Sequence, residues 1–151
     1  MEQNIQELSQ TPILHLPQRK YFTLQEAEAF LPQIEEHLLE VIKIRDARKL
    51  LQTIEIQFPD PFLAHAKEIR SHKEIHRLYF QEYQHLDALA ILGCFVKDVE
   101  KGLVDFYSKK DGKDAFLCWK FGEPHIAHWH DVTRGFEARK KIDDIALFKR
   151  E

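Results

Sequence analysis

Apolar residues recur from Ala27 through Leu31, Ile34, Leu38, Val41, Ile44, Ala47 and Leu51 to Ile54. A helix of 3.6 residues per turn collects this three-and-four spacing into a single stripe, with charge on the opposite face. Thr23 followed three residues later by Glu26 has the form of a capping box, so the helix begins at Leu24. Pro32 removes an amide and crowds the turn before it, so the helix should kink or restart there and then run to about Phe58. Phe58-Pro59-Asp60-Pro61 is a stop followed by a start: Asp60 suits an N-cap and Pro61 the first helical position. A second helix should extend from there to about Leu92. A connection so short makes the two helices antiparallel neighbours, a hairpin over residues 23–92.

After Gly93 the period drops to two. Phe95–Val99, Leu103–Tyr107 and Ala115–Phe121 alternate as short strands, and residues 126–130 offer a fourth. Asp111-Gly112 is a hairpin turn signal, because both residue types tolerate positive φ. The pattern predicts an α+β chain: a long antiparallel helical hairpin followed by a small antiparallel meander of three to four strands over 94–131. Residues 1–20, rich in Gln and carrying Pro12 and Pro17, read as a flexible arm. The tail over 132–151 carries the amphipathic stretch Ile142–Phe148, read as a short terminal helix. Residues 21–151 are expected to form one domain, with no internal repeat.

Arms of this length have two broad faces and one partner within the chain, which predicts a homodimer built through the hairpin. Composition narrows the alternatives. With 151 residues, 44% hydrophobic, 31% charged and a formal net charge of -3, the chain has the balance of a globular protein. That balance argues against a nucleic-acid binder, which would carry a basic excess. The runs Lys43, Arg45, Arg48, Lys49 and Arg139, Lys140, Lys141 keep a weak version of that idea alive only if they converge. The longest apolar run, Ala88 to Val96, is far short of the roughly 20 residues that span a bilayer, so no membrane partner is expected. The first residues lack a basic start and an apolar core, which predicts a cytosolic protein. Cys94 and Cys118 then read as free thiols.

The chemistry concentrates between Leu117 and Asp131, where three His, one Cys, two acids and both Trp of the chain occur. Alternation sets Leu117, Trp119 and Phe121 on one face of their strand and Cys118 on the other, and puts His128 and His130 together. If the Trp-bearing face packs on the helices, Asp105, Cys118, His128 and His130 fall on the far face. Those residue types are ligands for zinc or another divalent transition ion, with Glu123 or Asp131 close enough to act as a base. A second candidate set is Glu68, His72 and His76, spaced to share a face of the second helix. Against both stands the commoner fate of such residues, aromatic-rich core and hydrogen-bonded loops. No paired CxxC, HExxH, phosphate-binding glycine loop or nucleophile elbow occurs.

In order along the chain, Tyr21-Phe22-Thr23-Leu24-Gln25-Glu26-Ala27, Leu31-Pro32, Val96-Lys97-Asp98, Gly102-Leu103-Val104-Asp105-Phe106, Leu117-Cys118-Trp119, Gly122-Glu123, Trp129-His130 and Gly135-Phe136 form a recognisable pattern. It resembles the uncharacterised prokaryotic family known as domain of unknown function 2203, over about residues 21–139. The resemblance implies a small bacterial cytosolic protein and brings no activity or site residues with it.

Three functional expectations follow. The first is a homo-oligomeric binding or assembly module whose sheet receives an ion, a small ligand or a protein. The second is a zinc-type hydrolase with Asp105, Cys118, His128 and His130 as ligands and Glu123 or Asp131 as base. The third and weakest is nucleic-acid binding.

Overall fold

The computed structural model describes residues 17–151, so most of the expected N-terminal arm lies outside the described residues. Helix α1 (Leu24–Ala29) starts on Thr23, whose hydroxyl accepts from the Glu26 amide at 3.2 Å. The reciprocal half of the capping box is not made; the Glu26 carboxylate pairs instead with Arg150, 3.1 Å away. Phe30 is the joint, and α2 (Leu31–Thr53) restarts with Pro32 in its first turn, where a missing amide is harmless.

α2 stops about five residues earlier than its apolar spacing predicts. Thr53, Ile54 and Ile56 are β-branched and lose χ1 freedom in a helix, and Pro59 excludes Phe58 from the helical region. Thr53 Oγ1 donates back to the Leu50 carbonyl, and the chain leaves the helix with Ile54 extended. Asp60 then accepts from the Phe62 amide and opens α3 (Pro61–Leu92), which ends on Gly93 at φ +98°. At ~1.5 Å per residue the 32 residues of α3 span about 48 Å.

The sheet is antiparallel in the order β1 (Phe95–Asp98), β2 (Leu103–Lys110), β3 (Lys113–Lys120), β4 (His128–Asp131), β5 (Lys140–Lys141). A sixth strand, β6 (Phe148–Lys149), pairs with the end of β2 that β1 leaves free. Strand count therefore exceeds the expected three to four, because the tail is not helical. It contributes two-residue strands and two 3-10 turns, Phe136–Ala138 and Ile145–Leu147. A helix this short is marginal by itself, whereas the exposed edges of β2 and β4 offer unpaired backbone groups. Ile142 N–H donates to the Ala127 carbonyl at 2.9 Å, and Asp144 caps the second turn by accepting from Ala146.

The Asp111-Gly112 turn, with φ +53° and +74°, pairs Lys110 with Lys113 and thereby fixes the whole β2–β3 register. One face of the sheet carries Val104, Phe106, Leu117 and Trp119, which share a core with Leu31, Ile34 and Leu38 of α2 and Leu89 of α3. No described helix is long and apolar enough to cross a membrane.

Candidate metal centre

Register and alternation together deliver a cluster to the other face. Asp105 on β2 lies opposite Cys118 on β3, Cys118 opposite His128 on β4, and Phe116 opposite His130. Directly paired residues share a face, so Asp105, Cys118, His128 and His130 all arise on the side away from Trp119. Three of them meet. One ligand atom from each of Asp105, Cys118 and His130 lies within 4.8 Å of the other two, and each residue is at most 2% exposed. Among the described residues this is the one such convergence of three or more potential ligands.

His130 is oriented by its neighbours. Its Nδ1 lies 2.9 Å from the Asp131 carbonyl, which can only accept, so the ring donates its Nδ1–H there. Its other nitrogen, Nε2, faces Asp105, whose Oδ2 is 3.2 Å away. An imidazole held by a backbone carbonyl through one nitrogen, with the other facing ligand atoms, is the usual arrangement of a metal-binding histidine. Phe116 packs against the ring with centroids 5.4 Å apart.

The two acids are held back from ionising. Burial, reinforced by the neighbouring Asp105 carboxylate, pushes the Cys118 thiol up to about 12. Burial likewise raises the Asp105 carboxyl above its ordinary range, opposed in part by His130. A thiol in that state is no nucleophile at neutral pH. A dication would reverse both penalties, because metal charge favours thiolate and carboxylate together. Tetrahedral zinc, with bonds of roughly 2.0–2.3 Å, needs ligand atoms about 3.3–3.8 Å apart, so the cluster would have to contract by up to about 1.5 Å.

His128 does not join the cluster. Arg139, arriving from the tail, donates to Nδ1 of His128 and to the Glu123 carboxylate. Burial first, then the Arg139 charge, hold the His128 imidazole below its usual range. Glu123 is committed further: its second oxygen accepts from the Lys120 amide and its carbonyl from Trp119 Nε1. Asp131 is exposed, and β4 alternation turns its side chain away from His130. Glu68, His72 and His76 are exposed on α3; Glu68 and His72 border a cleft of about 770 Å³ at the hairpin turn, and His76 does not. Of the basic runs, Arg45 and Arg48 turn inward to the buried Glu82, so the α2 run does not form a free patch.

Arg139 entered the sequence reading only as part of a basic run. Its partnership with His128 and Glu123 depends on where an irregular tail lies, and no local signal carries that. No curated protein and no solved structure matches the chain. Residues 20–142 match the family model described as an uncharacterized conserved protein (DUF2203), and the chain belongs to that family.

Proposed function

We propose that this chain is a non-catalytic, metal-holding module: Asp105, Cys118 and His130 seat one zinc-type ion within the sheet, and the helical hairpin mediates self-association. The observation that carries the ion reading is the convergence of a nitrogen, a sulfur and an oxygen ligand atom, with the histidine Nε2 facing inward. Enclosure separates this reading from a metal hydrolase. Catalytic zinc keeps a coordination position open to water and substrate, whereas these three residues are sealed and Glu123 is already paired. An ion held away from solvent would contribute its binding energy to folding.

Elemental analysis of protein purified without a nickel column should find one equivalent of metal after dialysis against buffered zinc. With cobalt the site should show a sulfur-to-metal charge-transfer band that Cys118→Ser removes and His128→Ala leaves. No stoichiometric uptake, or uptake unchanged in His130→Ala and Cys118→Ser variants of native circular dichroism, would sink the ion reading.

Self-association is supported by apolar side chains left in water along the hairpin: Leu50 at 65% exposure, Phe80 at 65%, Tyr83 at 63% and Ile91 at 56%. Scattered apolar surface is ordinary, but several large residues on one helical pair mark a contact face. Sedimentation at tens of micromolar should show a dimer that Phe80→Glu dissociates. A monomer at that concentration removes the hairpin half of the proposal and leaves the ion half standing.

A further inference from the structure

At the end of the sheet, Leu103 pairs with Lys120 on the same face as Asp105 and Cys118, two residues further along each strand. The tail segment from Arg134 to Ala138 lies beside them and closes a cleft of about 650 Å³, a size suited to a small organic ligand. Three cations line it, Lys101, Lys120 and Arg134, against one acid, Glu137. Eleven ion pairs form among the described residues, and none of these three cations takes part in one. The tail's Arg139, by contrast, is neutralised by Glu123. Among the described residues the cleft thus keeps a net charge of about +2 without an ion-pair partner.

One aromatic side chain lines it. Phe136 is 36% exposed in the cleft lining, and two cations rest against its ring: Arg139 at 4.6 Å and Lys120 at 5.8 Å from the centroid. Leu103 and Ala138 supply the remaining apolar surface.

We infer that this cleft binds a small organic phosphate carrying a flat ring. A phosphate brings close to two negative charges, matching the unpaired excess, and Arg134 can grip it through two parallel N–H bonds while the lysines act as point charges. The flat ring packs against the exposed part of Phe136, where an aromatic pair gains contact. The cleft uses none of the three candidate metal ligands, so this inference does not depend on the ion.

Phenyl phosphate is the smallest probe with both parts. Titrated calorimetrically into the full chain at low salt, it should bind one site with a sub-millimolar Kd. Inorganic phosphate should bind at least tenfold more weakly and phenol without saturation. Lys120→Ala and Arg134→Ala, both exposed and tolerant positions, should each weaken phenyl phosphate about tenfold, or ~1.4 kcal/mol. Lys113→Ala, an exposed lysine at the other end of β3, should leave it unchanged. No saturable binding below about 10 mM, equal affinity for inorganic phosphate, or an equal loss in Lys113→Ala would each overturn the inference.

Discussion

His130 and Asp105 meet across a strand that belongs to neither: β3 separates β2 from β4, and the imidazole reaches diagonally over it to bring Nε2 within 3.2 Å of Oδ2. With Nδ1 against the Asp131 carbonyl, Nε2 is the ring nitrogen left for Asp105, whose carboxyl is raised by burial. Asp105→Asn keeps a donor for Nε2 and removes the buried acid, so the metal-free variant should be at least as stable as the parent. Asp105→Ala leaves the ring nitrogen without a partner and should lose about 1–3 kcal/mol. Urea denaturation in chelator measures both, and zinc uptake should fall in both. A large loss in the Asn variant would show that the carboxylate is ionised and paired.

Glu82 ties the hairpin together from inside. It is 3% exposed and accepts from Arg45 Nε at 2.6 Å and Arg48 Nη2 at 3.0 Å, while Arg48 also donates to Tyr79 at 2.8 Å and stacks on its ring. Removing one side of a buried pair strands the other charge. Glu82→Ala should therefore cost about 3–5 kcal/mol, and Glu82→Leu with Arg48→Leu should recover most of it. Denaturant midpoints decide; a loss below about 0.5 kcal/mol in Glu82→Ala would show that water takes over the arginines.

Local patterns made most of this architecture readable. The stripe from Leu31 to Leu51 and the Pro59-Asp60-Pro61 junction announce the hairpin because helical period and capping act over a few residues. The far-face grouping of Asp105 and Cys118 was also within reach: a two-residue turn at Asp111-Gly112 forces Lys110 onto Lys113, and counting back sets 105 against 118. The β3–β4 register was not, because residues 121–127 form a longer loop that permits several pairings. His128 left the cluster through Arg139, and Glu82 found its arginines across two helices; both depend on contacts remote in sequence. The tail misled because an amphipathic stretch can serve a sheet edge as well as a helix.

Cys94 gives the fold an alkaline weakness. Its thiol donates to the Leu89 carbonyl at 3.2 Å, and burial pushes it up to about 12. An unfolded thiol titrates near 8.5. Between those values the folded chain holds a proton that the unfolded chain has released, so stability falls as pH rises; below about pH 8 this group contributes no slope. The share of the decline due to Cys94 should approach ~1.4 kcal/mol per pH unit, or about 1–2 kcal/mol between pH 8 and pH 10, and Cys118, raised to the same value, adds its own. Cys94→Ala should lower stability at pH 8 and lose less on going to pH 10. Urea midpoints at the two pH values test this, and an equal decline in parent and variant would place the titration elsewhere.

Two glycines separate backbone strain from collision. Gly112 sits at φ +74° with open space where a Cβ would stand, whereas Gly102 sits at φ +67° with the Phe121 Cβ only 2.4 Å from that point. Gly102 also accepts the Phe121 amide at 2.8 Å, so the two backbones are held at that approach. Alanine at either site meets the left-handed penalty of roughly 1–2 kcal/mol. At position 102 the obstacle is an atom next to the backbone, which no rotamer moves aside, and overpacking adds about 1–3 kcal/mol. Gly102→Ala should therefore unfold at clearly lower urea than Gly112→Ala, and Gly112→Asn should stay near the parent because Asn tolerates that conformation. Equal losses in the two alanine variants would mean that the Gly102–Phe121 approach relaxes, and with it the strand end that presents Leu103 and Lys120.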